Sequence, residues 1–224
     1  MIVLGLLAAL SRGPWAGALV SILTFTLLGL NPLKKIRNLL LICLITIPIL
    51  IDSPMGNKIY NLIPFIGKTD KFNVDYRESL FENSMIVINR TPLFGSDNWR
   101  NTPEMIAMTQ GEGIIDVVNS YIGVALSKGY VGLFIFVSIF ISVIFSLLKK
   151  TTQIKDRENP LYILGVSLIS TLLAILVIIT TTSSINTIPI IYWSVLGLGI
   201  AYTRIINDYL KLKASNNVAS NNMI

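Results

Sequence analysis

The sequence predicts an all-α, polytopic helical membrane protein with one long, partly helical loop on the outer side of the membrane. Three observations support this class: 53% of the 224 residues are hydrophobic, only 13% are charged, and the mean hydropathy is +0.69. A soluble domain carries roughly 25% charged residues, so the composition argues against a water-soluble enzyme, a nucleic-acid-binding protein and a disulfide-rich secreted protein. Membrane topology then explains the net charge of +6, because lysine and arginine concentrate in cytoplasmic loops.

Five apolar runs approach the length that a membrane-spanning helix needs, which is about 20 residues with about 17 as the lower limit. The second run is short, and Pro189 interrupts the last one. We therefore expect spans over residues 14–30, 36–51, 130–148, 161–180 and 185–203.

Residues 1–10 form a further apolar run that is too short to cross the membrane. Arg12 follows this run closely and no basic residue precedes it, which is unlike a signal peptide. We expect the run to be the end of a helix, and the chain to be the C-terminal part of a longer protein.

Clusters of lysine and arginine follow alternate spans, so all of them fall on one side of the membrane. The positive-inside rule makes that side cytoplasmic. The chain is then predicted to consist of membrane helices over 1–51, an outer loop over 52–129, three membrane helices over 130–203 and a cytoplasmic tail over 204–224. The clusters are Lys34, Lys35 and Arg37; Lys149, Lys150, Lys155 and Arg157; and Arg204, Lys211 and Lys213.

The outer loop holds nine of the twelve carboxylates and shows signals of local structure. Apolar residues at helical spacing predict a helix over 76–89, and Pro92 with Gly95 predicts a turn. Thr102-Pro103-Glu104 resembles the start of a second short helix, which Gly111 and Gly113 would end. A loop of this length is usually functional.

A third helix is expected over 114–128, closed by Gly129. Polar or small residues recur along it at steps of three and four, which predicts a stripe on an otherwise apolar cylinder. The stripe would face either a cavity at the membrane boundary or the water above the bilayer. Its members are Asp116, Asn119, Ser120, Gly123 and Ser127.

The residue inventory leaves little room for metal or nucleophile chemistry. The chain has no histidine and only one cysteine, Cys43, and it lacks a calcium-loop spacing and a glycine-rich phosphate loop. We therefore expect no metal and no cofactor. What remains is a set of carboxylates and of arginines on the outer side, namely Arg12, Arg77, Arg90 and Arg100.

These arginines predict a site for an anion, because a guanidinium group binds phosphate through two parallel hydrogen bonds. A lipid diphosphate is the favoured ligand. The alternative is that Arg12 is a helix-end residue and that the others are solvated or paired with nearby acids. Asp116 is the candidate general base, and Asn119 is placed to orient a sugar hydroxyl. Alternatively, Asp116 only interacts with the dipole of a helix N-terminus.

The order of these segments resembles a known family. Ser11-Arg12-Gly13 opens a span, and a long loop then carries a helix with Arg77 and the sequence Pro92-Leu93-Phe94-Gly95. Asp116-Val117-Val118-Asn119-Ser120-Tyr121 follows, and Lys128-Gly129-Tyr130-Val131-Gly132-Leu133 leads into the next span. Over about residues 11–133, the chain is similar to the C-terminal half of the O-antigen ligase and O-antigen/exopolysaccharide polymerase superfamily of the bacterial inner membrane.

The resemblance implies a metal-independent glycosyltransferase that acts at the periplasmic face, with the long loop periplasmic. Its donor would be an undecaprenyl-diphosphate-linked oligosaccharide, and its acceptor the lipid A core in a ligase or another lipid-linked repeat unit in a polymerase. Arg12 and Arg77 would bind the diphosphate, with Arg90 or Arg100 as further contributors.

One feature qualifies the resemblance. Ligases carry a His-Asn pair where this chain has Asp116 and Asn119, which favours the polymerase branch.

Membrane lipid and a polysaccharide chain-length regulator are the further expected partners, and no nucleic acid is expected. The alternative function is a truncated or non-enzymatic membrane component of polysaccharide assembly or export.

Overall fold

The computed structural model describes residues 12–51, 71–111, 113–185 and 187–221. Every regular element within these ranges is helical, which confirms the all-α prediction. The expected helix end at residues 1–10 lies outside the described residues. The helices are α1 Arg12–Leu28, α2 Pro32–Ile51, α3 Lys71–Arg90, α4 Pro103–Ile106, α5 Ser120–Thr151, α6 Pro160–Ile178 and α7 Thr187–Asn221, with a 3₁₀ turn at Trp99–Asn101.

Three of the described helices are long and apolar enough to cross a membrane. They are α5, α6 and the part of α7 from Thr187 to Leu212, while α1 is apolar but shorter. These three contain the predicted spans 130–148, 161–180 and 185–203 almost completely. The sequence predicts an interruption of the last span at Pro189, but the helix is continuous there. Pro189 lies in the first turn of α7, where the missing N–H of proline removes no helical hydrogen bond.

The helices α1 and α6 run antiparallel and pack closely. The hydroxyl of Tyr162, at the start of α6, donates to the carbonyl oxygen of Leu28 at 2.7 Å. At the other end, a β-carbon placed on Gly17 would lie 2.6 Å from Cδ1 of Ile178. Glycine therefore permits the close approach of the two backbones, as small residues commonly do between membrane helices.

A buried core joins α5, α6 and α7. Phe140, Leu147 and Leu172 are fully buried in it. The hydroxyl of Tyr202 donates to the carbonyl oxygen of Leu161 at 2.9 Å and lies 3.2 Å from the hydroxyl of Thr151. This polar contact is satisfied inside the bundle, so it adds a directional contact to apolar packing.

Helix α5 is broken at Gly129, where the sequence predicts a helix end. The backbone there has φ 66° and ψ −170°, a conformation that only glycine adopts readily. The predicted Pro92–Gly95 turn is inserted at the break: Pro92 and Leu93 carbonyl oxygens accept from the amides of Tyr130 at 2.7 Å and Val131 at 3.2 Å. The turn thus caps the second half of the helix.

The helix predicted over 114–128 is wrong at its start. Residues 113–119 are not helical, and α5 begins at Ser120 with Asn119 as its N-cap. The side-chain oxygen of Asn119 accepts from the amides of Tyr121 at 2.9 Å and Ile122 at 3.3 Å. This capping satisfies amides that a helix start leaves unpaired, and it competes with continuation of the helix upstream.

Residues of the predicted outer loop form a small core of their own against the first half of α5, which we call the outer core. Helix α3 confirms the predicted helix over 76–89 and is longer at its start. Thr102 and Pro103 begin α4 as predicted, but α4 ends at Ile106, before Gly111. The core consists of Leu80, Val87, Ile88, Trp99, Met105, Met108, Val117, Ala125 and Leu126.

Candidate functional site

A cavity of about 230 Å³ lies where three separate parts of the chain meet. These parts are the 3₁₀ turn at Trp99–Asn101, the segment from 115 to the first turns of α5, and the loop between α6 and α7. Apolar side chains form much of its wall. Its polar lining comes from Arg100, Asn119, Ser120, Ser127, Ser183 and Ser184.

The predicted polar stripe faces this cavity. Asn119, Ser120, Gly123 and Ser127 line it, so four of the five predicted members of the stripe face a cavity. Asp116 precedes the helix and does not itself line the cavity. Ser183 connects Asp116 to the cavity. It lines the cavity, and its hydroxyl donates to Oδ1 of Asp116.

Asp116 is held from a second direction by Tyr76 of α3. The hydroxyl of Tyr76 lies 3.2 Å from the main-chain oxygen of Asp116 and 3.3 Å from that of Met108. Burial, and secondly the charge of Asp116, raises the pKa of Tyr76 above its usual value. Tyr76 therefore remains a neutral hydrogen-bond donor at neutral pH and fixes the extended segment around Asp116 against α3.

Asn119 presents only one of its two polar atoms to a ligand. Because its oxygen caps α5, the amide NH₂ group is the part left to face the cavity. Among the described residues, this NH₂ group forms no hydrogen bond, and the side-chain contacts of Asn119 all involve its oxygen. Asn119 can therefore donate to an oxygen of a bound molecule while it maintains the start of the helix.

Arg100 is the cation of the cavity. Its guanidinium carbon lies 4.5 Å from the centre of the Trp99 ring, a stacking geometry that stabilises an arginine without neutralising it. Trp99 is buried in the outer core, so the ring provides a fixed support. Within the described part of the chain, Arg100 forms no ion pair with a carboxylate, and its charge is available to an anion.

The other predicted arginines are placed differently. Arg90 forms a two-contact ion pair with Glu104, with Nη1 of Arg90 at 3.0 Å from Oε2 of Glu104. The hydrogen bonds from Arg90 lower the pKa of Glu104 below its usual value. The pair connects the end of α3 to α4. Arg90 does not line the cavity, and its guanidinium group is occupied.

Arg77 lies away from the cavity, and only the backbone of Arg12 is described. Arg77 is exposed on α3, directly after Tyr76, and does not line the cavity. Arg12 begins α1, and its side chain is outside the described atoms. Its neighbour Gly13 is buried against the side chain of Thr181, so the backbone of Arg12 lies beside the loop between α6 and α7.

The sequence interpretation missed Trp99, Ser183 and Ser184. Trp99 was not singled out because no motif surrounds it. The two serines belong to a short turn between two predicted spans, and two adjacent serines in such a turn were the available signal. No group of three or more histidine, cysteine, aspartate or glutamate side chains that could hold a metal occurs in the described ranges.

Comparison with known proteins adds one finding. A family model described as O-antigen ligase (Wzy_C) matches residues 1–137. The match includes Arg12, Arg77, Arg100, Asp116 and Asn119 and ends within α5, before the loop between α6 and α7. No curated protein and no solved structure matches the chain.

Proposed function

The chain belongs to the O-antigen ligase family, and from this premise we propose that it transfers a glycan from a lipid-linked diphosphate donor to a sugar hydroxyl at the cavity. The observation that supports this most is the meeting of a free cation, an amide donor and a hydrogen-bonded carboxylate at one cavity. These groups are Arg100, Asn119 and Asp116, the last reached through Ser183.

The proposed reaction forms one bond and breaks one. The acceptor hydroxyl oxygen bonds to the anomeric carbon of the donor sugar, and the bond between that carbon and the diphosphate oxygen breaks. The diphosphate leaves with the electron pair and stays attached to its lipid, while the hydroxyl proton passes to Asp116. Since diphosphate is already a good leaving group, the protein mainly stabilises negative charge and removes one proton.

Arg100 is proposed to bind the diphosphate, because a guanidinium group stabilises phosphate charge without a proton transfer. Arg12 and Arg77 are proposed to complete this phosphate site: the first lies at the start of a helix beside the cavity loop, and the second follows Tyr76, which contacts Asp116. We assign Arg90 to the support of α4, since its ion pair with Glu104 occupies it.

The donor is proposed to carry undecaprenyl diphosphate, and the reaction to occur at the periplasmic face of the inner membrane. The cavity lies at the end of the bundle formed by the start of α5, the end of α6 and the start of α7. Lys149 and Lys150 lie at the opposite end of α5. Under the positive-inside rule, this distribution supports a cytoplasmic end with lysines and a periplasmic cavity.

The test compares variants of the cavity with a surface control in a cell that depends on this protein for its surface glycan. Arg100→Ala should lower kcat/KM by about 100-fold, since loss of one donor to a developing anion has this typical effect. Asp116→Asn keeps an oxygen for Ser183 but cannot take a proton, and should lower kcat by at least about 100-fold. Glycan length on gels and transfer in membranes measure both.

Lys128→Ala is the matched control. It removes one exposed outer cation whose ion pair with Asp97, at 3.1 Å, is solvent-exposed and contributes little. It should leave transfer unchanged. Normal glycan in both Arg100→Ala and Asp116→Asn would contradict the enzymatic proposal and favour a non-enzymatic role in polysaccharide assembly. Supplying a lipid A core or a lipid-linked repeat as acceptor separates ligation from polymerisation.

A further inference from the structure

The loop between α6 and α7, residues 179–185, is bound firmly to the start of α5. The amide of Ser120 donates to the carbonyl oxygen of Ile179 at 2.9 Å, and its hydroxyl donates to that of Thr182 at 2.7 Å. Ser120 is buried, with 1% of its surface exposed. Hydrogen bonds that are shielded from water are stronger than exposed ones, so these two hold the loop in one position relative to Asn119 and Asp116.

The loop is also fixed from the side of α1. Gly13 is buried against the side chain of Thr181, and a β-carbon at position 13 would overlap the Thr181 hydroxyl. That hydroxyl donates to the carbonyl oxygen of Ile178 at 3.0 Å. The loop is therefore packed between the first turn of α1 and the first turn of α5, and its next residues are directed to the cavity.

Ser183 separates Asp116 from the cavity. It lines the cavity, whereas Asp116 does not, and its hydroxyl donates to Oδ1 of Asp116. A serine hydroxyl has one proton to donate and lone pairs to accept. Since the proton is given to Asp116, the lone pairs remain for a donor in the cavity.

Ser184 has a buried hydroxyl oxygen with no hydrogen-bond partner among the described residues, and it also lines the cavity. A buried hydroxyl is rarely left unpaired in a native structure, because the loss of its hydrogen bonds to water is not compensated. A ligand or a bound water in the cavity would supply the missing partner. Asn119 lines the same cavity, and its amide NH₂ donates no hydrogen bond within the described structure.

We propose that this loop, which lies outside the family match, completes the site: Ser183 passes a proton from the acceptor hydroxyl to Asp116, and Ser184 hydrogen-bonds an oxygen of the bound sugar. This inference rests on the proposed glycan transfer. The hydroxyl proton of the acceptor moves to Oγ of Ser183 as the Ser183 proton moves to Asp116. Ser183 is neutral before and after, and the one proton removed from the acceptor resides on Asp116.

The two serines should affect different kinetic parameters. Ser183→Ala removes the proton path and should lower kcat by about tenfold or more with little change in KM, whereas Ser183→Thr keeps the hydroxyl and should restore most of the rate. Ser184→Ala removes one neutral hydrogen bond to the sugar and should raise KM by about three- to tenfold with kcat unchanged. The assay is transfer in membranes with a lipid-linked glycan.

Thr180→Val is the matched control within the same loop. Thr180 is exposed, its hydroxyl donates only to the carbonyl oxygen of Val177 at 2.7 Å, and it does not line the cavity. The variant should behave as the unchanged protein. If Ser183→Ala and Ser184→Ala behave as Thr180→Val while Arg100→Ala and Asp116→Asn are inactive, the loop proposal is overturned and the glycan-transfer proposal stands. If all four cavity variants are active, both fail.

A binding measurement tests Ser184 without relying on turnover. Cys43 is the single cysteine, so Ser184→Cys in a Cys43→Ala background carries one thiol at the cavity. The purified Ser184→Cys protein should therefore bind an undecaprenyl-diphosphate-linked oligosaccharide about three- to tenfold more weakly than the Cys43→Ala background, because a thiol is a poorer hydrogen-bond donor than a hydroxyl. Thr180→Cys in the same background should bind it unchanged. Equal affinity of Ser184→Cys and its background would mean that only water occupies the Ser184 hydroxyl, which would overturn its assignment.

Discussion

Asn119 combines a structural and a proposed chemical role in separate atoms of one side chain. Its oxygen accepts from the amides of Tyr121 and Ile122 and starts α5, which leaves its nitrogen to donate in the cavity that Asn119 lines. The same division explains why the residue could be predicted as functional while its local structure was predicted incorrectly. Periodicity places Asn119 within a helix, but an asparagine at a boundary favours capping.

Substitution at Asn119 separates the two roles. Asn119→Ser retains an oxygen that caps the helix, so the midpoint of thermal unfolding should change little, but transfer should fall about tenfold because the amide donor is lost. Asn119→Ala should lose both the cap and the amide donor, and the loss of the cap should lower the stability by about 1 kcal/mol. Thermal unfolding in detergent and transfer in membranes check the two effects. Equal activity of Asn119→Ser and the unchanged protein would contradict a role of the Asn119 amide in the site.

At the scale of elements, the break in α5 determines where the outer core sits. The amide of Ser96 donates to the carbonyl oxygen of Leu126 at 3.0 Å, on the other side of the break from Tyr130 and Val131. The turn that contains Gly95 therefore pairs with both half-helices. A β-carbon on Gly95 would lie 2.6 Å from the amide nitrogen of Lys128, so glycine is required on both sides of this contact.

Gly129→Ala should destabilise the protein by about 3 kcal/mol or more, because alanine is strained at φ 66° and its β-carbon would overlap the backbone of Leu93. We expect lower abundance in the membrane and loss of transfer through displacement of Arg100. Gly111→Ala is the control, since nothing lies within 4 Å of a β-carbon there. Abundance and unfolding temperature are the measurements; equal values for the two variants would show that the break tolerates a side chain.

The sequence predicted where the helices and turns lie better than the residues at which they begin and end. Apolar runs and the signals at Pro92, Gly95 and Gly129 located the long helices, the turn and the break, because these signals depend on local backbone geometry. The end of α4 at Ile106 and the start of α5 at Ser120 were missed. The segment between these boundaries is held by contacts with a distant helix, such as the hydrogen bonds from Tyr76 to the main-chain oxygens of Met108 and Asp116, and no local pattern records such contacts. The start of α5 had a local signal, the capping side chain of Asn119, but the apolar periodicity extended the predicted helix past it.

At the scale of the whole molecule, the candidate site is assembled from segments that are far apart in sequence. Arg100, Asn119 and Ser183 come from the outer core, the bundle and the loop between the last two helices. The sequence supplied two of these three as candidates by residue type. It could not indicate that Arg100 and not Arg90 is free, since the pairing of Arg90 with Glu104 depends on how α4 folds back on α3.

The packing of α1 on α6 should be needed for activity although neither helix lines the cavity. Gly17→Ile would push α1 away from Ile178 and Ala174, which lie 2.6 Å and 3.2 Å from a β-carbon at position 17. This displacement would move Arg12 and Thr181 relative to the cavity, so transfer should fall at least about tenfold. Gly197→Ile, at an exposed position with open space around it, should retain transfer. Both are measured at matched membrane abundance.

The hydrogen bonds from the amides of Tyr130 and Val131 to the turn depend on the bilayer that surrounds them. The predicted span starts at Tyr130, so detachment of the turn would expose these two amides where hydrocarbon offers no acceptor. The bilayer itself then opposes opening of the outer core. Amide exchange at Tyr130 and Val131 should consequently be slower in a thick bilayer than in a thin one, which makes membrane thickness a factor in the rigidity of the cavity.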